Sequence, residues 1–223
     1  MSQSTPFVRN YCFYHESMIK YCSMRMRLIN ENLVIAGRKA TGEKPEVLVA
    51  RKKRGRFADY DIFPGGKVEG TASQLEEAVR ELREETLISV DPEMLRALGR
   101  LVVYDVRPGQ ERFGNIFLYG VAVEPEVEAV ETAELEPRWC SVDDPTLTDA
   151  MPPDIRVWWP VMGQLEGNPF VAHVDYDEEG NLEVIVKRPD IAHMAGEVLR
   201  RTTFSVPDLE ALVPSRVFSA RTK

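Results

Sequence analysis

The amino-acid sequence predicts an α/β protein in which helices pack on both faces of a mixed β-sheet. Three observations favour this fold class: strand-like apolar runs precede one strongly amphipathic helix, further strand-like runs follow it, and a second helical segment comes later. Strands before and after a central helix suit an α/β/α sandwich. The 223 residues suffice for one full domain with extensions, and the sequence contains no internal repeat.

Runs of apolar residues bounded by turn residues predict two strands before the helix and four after it. They cover 32–36, 46–50, 100–106, 115–123, 170–176 and 182–186, and the last two form a hairpin. Further helical segments are predicted over 158–165, 193–201 and 207–212. We expect a domain over 25–188 between extensions at 1–24 and 189–223.

The central helix, over 73–86, has the clearest pattern. Apolar residues recur at i, i+3, i+4 and i+7, as in a helix with one buried face. These residues are Leu75, Ala78, Val79 and Leu82. Ser73 precedes Glu76 by three residues, which predicts a capping box at the start of the helix.

The net charge of the chain disfavours some classes of binding partner. The chain carries 28 Lys and Arg residues against 36 Asp and Glu residues, a formal net charge of −8. This charge disfavours binding to nucleic-acid polymers and to anionic membrane surfaces. No apolar run approaches the roughly 18–20 residues that cross a bilayer, and the N-terminal residues lack the apolar core of a secretory signal.

The three cysteines have no metal-ligand spacing, and an odd number does not suit a disulfide framework. They are Cys12, Cys22 and Cys140. Free thiols in a reducing cytosol are the simplest interpretation, so we expect a cytoplasmic protein.

The second face of the central helix is acidic. Glu77, Glu81, Glu84 and Glu85 fall within a stripe of roughly 100°. One interpretation is a solvated face whose charge is relieved by nearby arginines. The other is a site for a hard divalent cation, which prefers carboxylate oxygens. A Gly-Gly-Lys turn at 65–67 precedes the helix, and its exposed backbone would allow a metal or a phosphate to approach closely.

The turn and the helix together resemble a known motif. The Nudix box has the pattern G-x5-E-x7-R-E-U-x-E-E-x-G-U, where U is a bulky aliphatic residue. The corresponding segment, from Gly66 to Ile88, is GKVEGTASQLEEAVRELREETLI. Its R-E-U-x-E-E core is intact at the required spacing, from Arg80 to Glu85. The sequence therefore resembles the Nudix hydrolase family.

The resemblance implies an α/β/α Nudix sandwich and a magnesium-dependent hydrolase, with manganese as the alternative metal. The motif assigns four metal ligands in the box: Gly66 through its carbonyl oxygen, and Glu81, Glu84 and Glu85. It also implies that Glu81 orients or deprotonates the attacking water, and that Gly65 and Arg80 are structural. Lys67 would be a local counter-charge to phosphate.

Segments outside the box resemble the MutT-type branch, and particularly the animal enzyme that hydrolyses oxidised purine nucleoside triphosphates. They are 47–55, 97–100, 134–139 and 151–160, and the resemblance spans about 27–188. It implies that Glu134 is a further metal-site carboxylate or base. It also implies a small nucleotide as substrate, best a purine nucleoside triphosphate that gives the monophosphate and pyrophosphate.

Two box positions depart from the family pattern. Ala72 replaces the first box glutamate, whose structural partner is the box arginine, and Glu76 could take over the pairing with Arg80. Leu87 replaces the late box glycine, which suggests a changed backbone at that turn.

The residues expected to recognise the base match the animal enzyme poorly. Its asparagine, tryptophan and two adjacent acids correspond here to Ile62, Pro152, Asp154 and Ile155. Only Asp154 keeps its chemistry, as a carboxyl group that would bond a purine edge. Stacking would have to come from other aromatic residues: Phe63, Phe117, Trp158 and Trp159. The helical spacing of the two tryptophans near an amphipathic segment is more typical of the core than of a stacking site. Lys52 lies in a basic run at 51–56 that is either a phosphate contact or a solvated loop.

Two functions of different classes remain open at this point. The first is a Nudix hydrolase that cleaves a pyrophosphate bond in a nucleoside diphosphate derivative. The second is a catalytically impaired nucleotide-sensing or protein-interaction module on a Nudix scaffold, which the changes at Ala72 and Leu87 and the two extensions would suit. The sequence does not decide between a monomer and a homodimer.

Overall fold

One mixed sheet organises the computed structural model, which describes residues 27–39, 43–69, 72–164, 169–187 and 218–221. Its strands are β1 (Arg27–Arg38), β2 (Glu46–Lys52), β3 (Asp61–Ile62), β4 (Arg96–Asp105), β5 (Arg112–Ala122), β6 (Leu135–Ser141), β7 (Phe170–Tyr176), β8 (Leu182–Lys187) and β9 (Phe218–Arg221). The strand order is β3-β2-β1-β5-β4-β7-β8-β9, with β6 paired to β2. The β1–β5 and β4–β7 pairs are parallel and the other pairs are antiparallel.

Helices α1 (Gln74–Thr86) and α2 (Pro153–Gln164) lie on opposite faces of this sheet. Ala78 and Leu82 of α1 pack with one set of strand side chains: Val34, Leu48, Phe117 and Tyr119. Ile155 and Trp158 of α2 pack with the other set: Ile35, Val49, Leu118 and Val174. The predicted α/β/α sandwich with a mixed sheet is therefore confirmed.

Helix α1 begins as its sequence predicts. The Ser73 side chain accepts a hydrogen bond from the Glu76 N–H at 3.3 Å, and Glu76 Oε2 accepts one from the Ser73 N–H at 2.7 Å. This is the capping box. The helix ends at Leu87, which has left-handed dihedral angles (φ 61°, ψ 7°) and donates its N–H to Arg83 O at 2.9 Å. Leucine thus adopts the conformation that glycine favours, so the expectation of a changed backbone is not met.

Several elements differ from the prediction. Helix α2 begins at Pro153, five residues earlier than predicted, because proline suits the first turn of a helix. Strands β3 and β6 were not predicted, since β3 has only two residues and β6 contains Pro137. The helices predicted over 193–201 and 207–212 lie outside the described residues.

At the C-terminal end, β9 extends the sheet by pairing antiparallel with β8. This strand falls within the predicted extension at 189–223. Within the described ranges, no helix has the length and apolar character that a membrane crossing requires.

Candidate active site

The Gly-Gly turn before α1 follows the edge of β1 closely. Val34 N–H donates to Pro64 O and Asn32 N–H donates to Gly66 O, both at 2.8 Å. Gly65 has a φ of 155°, and a Cβ at this position would overlap the Asn32 carbonyl oxygen. No residue with a side chain fits at this position. With glycine there, the turn lies close to β1, and the Gly65 N–H donates to Glu85 Oε2 at 2.7 Å.

Glu85 is the most deeply buried of the predicted ligands, with 6% of its surface exposed. Burial raises the pKa of this carboxyl group to about 7. The Gly65 N–H and the positive charge of Lys52 favour the charged form, whereas Glu81 and Glu134 oppose it. The structure therefore brings these five residues of the prediction into one electrostatic environment.

Glu81 lies against the second glycine of the turn. A Cβ on Gly66 would overlap the Glu81 carboxylate, so the close contact requires glycine. Burial also raises the pKa of Glu81, against the opposing effect of Arg80. The carboxylates of Glu81 and Glu85 thus meet the Gly-Gly turn side by side.

Arg80 holds three carboxylates of the helix at once. It donates to Glu77 Oε2 at 2.8 Å, to Glu81 Oε1 at 2.6 Å and to Glu84 Oε2 at 2.8 Å. These bonds raise the pKa of Arg80 above its usual range, Glu77 having the largest effect. The hypothesis that Glu76 replaces the missing box glutamate is wrong, because Glu76 is used in the capping box and the buried Glu77 pairs with Arg80 instead.

The donor set fits a hard divalent cation in chemistry, since it consists of carboxylate oxygens and a glycine carbonyl. In the part of the chain that the structure describes, no three His, Cys, Asp or Glu residues are gathered closely enough to hold a metal ion. Glu81 and Glu84 are bonded to Arg80 instead, and the Glu84 side chain is 59% exposed. A cation would therefore compete with Arg80 for two of its predicted ligands.

Glu134 and the basic run at 51–56 meet across the site entrance. Arg54 forms an ion pair with Glu134, and Lys53 pairs with Glu131 at 2.5 Å. Arg51 Nε lies 3.0 Å from the buried Asp61, and Arg56 pairs with the buried Asp105. Most basic residues of this run therefore form ion pairs with acidic side chains.

The buried acidic partners of this run, Asp61 and Asp105, were missed in the sequence. Asp105 ends an apolar strand run, and a charged residue in that position was the available signal. Arg107 and Arg112, which also contact Asp105, were missed with it.

The predicted substrate contacts are divided between two places. Lys67 is exposed at the Gly-Gly turn, where its backbone bridges to Glu31, while Lys52 lies near Glu85. Asp154 lies on the other face of the sheet, at the start of α2, and accepts a hydrogen bond from the Tyr176 hydroxyl at 2.9 Å. Asp154 thus belongs to the α2 side of the sheet, whereas Glu81, Glu84 and Glu85 belong to α1.

Most aromatic residues considered for stacking are in the core. Phe63 and Trp158 are fully buried and Phe117 is 5% exposed, whereas Trp159 is partly exposed with its ring 5.0 Å from Phe63. The interpretation of Trp158 as a core residue is confirmed, and Phe63 and Phe117 also belong to the core.

Residues 33–159 match the NUDIX domain family. The chain belongs to this family. The match contains the box, Glu134 and Asp154, and membership of the Nudix family supports the hydrolase class that the box predicts.

Solved structures share the fold of this Nudix protein. The mMutator MutT protein from Bacillus halodurans is 20% identical, with a TM-score of 0.54 over 68% of this chain and 92% of that one. The NUDIX domain of Shewanella oneidensis NrtR complexed with ADP ribose is 13% identical, with a TM-score of 0.51 over 68% and 97%. The chain spans 57% of the MutT/nudix family protein from Enterococcus faecalis (18% identity, 63% of this chain, TM-score 0.44). At these identities the similarity shows the fold alone.

Proposed function

We propose that this chain is a magnesium-dependent Nudix hydrolase that cleaves a pyrophosphate bond in a nucleoside diphosphate derivative. The observation that carries the proposal is the pair of carboxylates, Glu81 and Glu85, that meets the Gly65–Gly66 turn. Two acids held together beside a backbone turn and away from bulk water are suited to sharing a cation that a diphosphate also binds.

Five residues would hold the cation: Gly66 through its carbonyl oxygen, and Glu81, Glu84, Glu85 and Glu134 through their carboxylates. Manganese is the alternative metal. When bound, the cation neutralises charge on the diphosphate and lowers the pKa of water. The Gly66 oxygen already accepts the Asn32 N–H, and its second lone pair remains available.

The chain's own residues would then position the reactants. Glu81 orients the attacking water and accepts its proton, because its carboxylate lies directly against the turn. Lys52 and Lys67 place positive charge on either side of the Gly-Gly turn, where the phosphates of the substrate would lie. Arg80 keeps the acidic face of α1 assembled through its three ion pairs.

A pyrophosphatase assay with magnesium against a panel of nucleotides tests the proposal. We expect hydrolysis of at least one substrate, a loss of roughly 100-fold or more in kcat for Glu85→Gln, and little activity in chelator. Glu93→Gln, a change at an exposed acid outside the box, is the matched control. Undiminished turnover by Glu85→Gln would overturn the mechanism.

Within this class we propose a purine nucleoside triphosphate, including the oxidised forms, as the first substrate to test, with the monophosphate and pyrophosphate as products. Asp154 supports it as a buried carboxyl group next to a hydrogen-bonding tyrosine. We expect wild type to hydrolyse a purine triphosphate faster than a pyrimidine triphosphate. The Asp154→Ala variant should show a smaller difference between the two rates. Equal rates with both bases would contradict the assignment.

A second function is favoured by one observation. Arg80 engages Glu81 and Glu84, and among the described residues no group is arranged to hold a metal ion. This suits a nucleotide-sensing or protein-interaction module without catalysis. Nucleotide binding of equal affinity in chelator and in magnesium, with no hydrolysis, would identify such a module.

We further propose that the catalytic domain is 25–188, with extensions at 1–24 and 189–223, and that the protein acts in the cytoplasm on small nucleotides. Nucleic-acid polymers and membranes are not its expected partners. Hydrolysis of free nucleotides but not of oligonucleotides is the expected result. Sedimentation of the full chain would decide between monomer and homodimer.

A further inference from the structure

An arginine cluster surrounds one buried carboxylate on the face of the sheet that carries α2. We define it as Arg56, Arg107 and Arg112 around Asp105. Asp105 ends β4, Arg112 begins β5 and Arg107 lies in the connecting turn. Asp105 lies two and four residues after Val103 and Leu101 on β4, and Arg112 lies four residues before Ile116 on β5. Residues an even number of positions apart on a strand share a face, so Asp105 and Arg112 point to the α2 face.

Asp105 holds the three guanidinium groups in place. It has no exposed surface, and it accepts from Arg107 Nε at 2.8 Å, from Arg107 Nη2 at 2.7 Å and from Arg56 Nη2. Arg112 Nε lies farther away, at 3.7 Å. Although burial opposes ionisation, the bonds from Arg107 and Arg56 keep the pKa of Asp105 below its usual range.

The arginines have more donors than this carboxylate uses. Each guanidinium carries five N–H donors, and only Arg56 and Arg107 are hydrogen-bonded to Asp105. Within the described ranges, Arg56 Nε and Arg112 Nε are shielded from solvent without a hydrogen-bond partner. Buried donors of this kind destabilise the fold unless another group supplies an acceptor.

Two further carboxylates face the cluster without satisfying these donors. Asp154 accepts from the Tyr176 hydroxyl, and Glu31 Oε2 is 3.8 Å from Arg112 Nη1. The acceptor for the buried Nε groups is therefore neither of them.

The cluster is open on one side. The side chains of Arg56 and Arg107 are 30% and 23% exposed, whereas Arg112 is 8% exposed. Two aromatic rings fix the planes of the outer arginines: Arg107 lies 3.8 Å above the Tyr176 ring, and Arg56 lies 4.9 Å from the Phe57 ring. The result is an arginine-lined recess with a buried floor and a preset donor geometry, in which Asp105, Asp154 and Glu31 balance the three positive charges.

One loop joins this recess to the carboxylate site. Lys52 acts on Glu85, Arg54 pairs with Glu134, and Arg56 pairs with Asp105. Four residues of chain span at most about 14 Å. The Cα atoms of Lys52 and Arg56 are therefore at most about 14 Å apart, and this short segment contributes residues to both places.

We propose that Arg56, Arg107 and Arg112 bind a second phosphate group of the nucleotide substrate, separate from the pyrophosphate that is cleaved. A phosphate monoester on the ribose supplies acceptor oxygens to the partly exposed guanidinium groups of Arg56 and Arg107, which lie beside the buried Arg112. Paired guanidinium donors match its oxygens in a bidentate geometry. The inference rests on the proposed function for the identity of the substrate, but binding to the recess does not require hydrolysis.

Binding in chelator tests the recess independently of catalysis. Calorimetry with the full chain would compare adenosine 3′,5′-bisphosphate with AMP, which lacks the 3′-phosphate, and with inorganic phosphate. We expect the bisphosphate to bind at least about fivefold more tightly than AMP. Arg112→Gln should remove this difference, and Arg107→Gln, at a more exposed side chain, provides the same test should the first variant fail to fold. Arg96→Gln, at an exposed arginine outside the cluster, is the matched control.

Hydrolysis with magnesium provides the second arm. Coenzyme A and dephospho-coenzyme A differ by a 3′-phosphate, and NADPH and NADH differ by a 2′-phosphate. We expect kcat/KM to favour the phosphorylated member of at least one pair by about fivefold or more, and the ratio to approach one in Arg112→Gln or Arg107→Gln.

A wild-type binding ratio below about fivefold, or a ratio that survives in both arginine variants, would overturn the proposal. Inorganic phosphate that binds as tightly as the bisphosphate would assign the recess to free phosphate and overturn its role in substrate recognition. If no substrate is hydrolysed but the bisphosphate still binds more tightly than AMP, the proposed hydrolase activity is rejected. Phosphate binding by the arginine cluster is then supported.

Discussion

At the scale of single residues, Glu77 takes the place expected of the absent box glutamate. Its carboxylate is 4% exposed and accepts from Arg80 Nε at 3.1 Å and from Arg80 Nη2 at 2.8 Å. The Arg80 bonds keep the pKa of Glu77 low even though burial opposes ionisation. Ala72, by contrast, is exposed. The box arginine is therefore held from within the helix rather than from the loop before it.

We expect Glu77→Gln to lower the free energy of unfolding by roughly 1–3 kcal/mol, because it removes the charged acceptor from a buried, charge-assisted bond. Glu84→Gln is the matched control: Glu84 bonds the same Arg80, but its side chain is 59% exposed, so its loss should cost about 0.3–0.5 kcal/mol. Urea denaturation measures both. Equal losses would show that Glu77 has no special role.

A second residue-scale prediction concerns Asp175 on β7. Burial, together with repulsion from Glu183 on β8, raises the pKa of Asp175 to about 7. Tyr104 faces it at the same level of β4. The folded protein therefore binds a proton that the unfolded chain releases near pH 4. The stabilisation from this group is fully present below about pH 4 and is lost as the pH rises toward 7.

Asp175→Asn should accordingly raise the free energy of unfolding at pH 8 relative to wild type and have little effect at pH 4. Urea denaturation at several pH values between these limits measures the slope. Asp149→Asn, at an exposed aspartate, serves as the comparison and should leave the slope unchanged. A wild-type slope retained in Asp175→Asn would contradict the assignment.

At the scale of elements, α1 ends at a strained residue. Leu87 has a φ of 61° and is 58% exposed. A residue with a Cβ destabilises the folded state by roughly 1 kcal/mol in this left-handed conformation, whereas glycine has almost no such cost. The strain lies two residues after Glu85, at the end of the helix that carries Glu81, Glu84 and Glu85.

Leu87→Gly should raise the free energy of unfolding by about 0.5–1 kcal/mol, because it relieves the left-handed strain and removes a mostly exposed side chain. Leu87→Ala keeps the Cβ and therefore the strain, so it should not stabilise the protein. Thermal denaturation of both variants distinguishes relief of strain from loss of the side chain. Stabilisation by alanine as well as glycine would rule out the backbone explanation.

Features that depend on residues close together in the sequence were predicted, whereas pairs between distant residues were not. The capping box and the apolar period of α1 predicted its start within one residue, because both involve contacts within three or four positions. The partner of Arg56 is 49 residues away and that of Arg54 is 80 residues away. Neither pair leaves a pattern in the chain, so Arg56 and Asp105 became evident only when β4 and the 51–57 loop were in place.

At the scale of the whole molecule, occupancy of the carboxylate site should change stability. A ligand that binds only the folded state adds RT ln(1 + [L]/Kd) to the free energy of unfolding. With a Kd on the order of 1 mM, about 10 mM magnesium would add about 1.4 kcal/mol, a rise of a few degrees in Tm.

Differential scanning calorimetry with magnesium chloride, and with sodium chloride at the same ionic strength, measures this effect. Magnesium should raise the Tm of wild type, and the rise should be smaller in Glu85→Gln. An equal rise in both proteins would place the cation elsewhere.

The parallel pairing of β1 with β5 has a consequence for biosynthesis. Val34 pairs with Tyr119, 85 residues later, whereas within the described ranges β1 is in register with β2 at Gly37 and Arg38 alone. At a translation rate of about 5–20 residues per second, the residues of β5 are synthesised on the order of 4–17 s after those of β1. Nascent chains that end before Arg112 carry an apolar strand with no place to pair, and they should aggregate or recruit chaperones. The pairing of β1 with β5 can therefore form only late in synthesis.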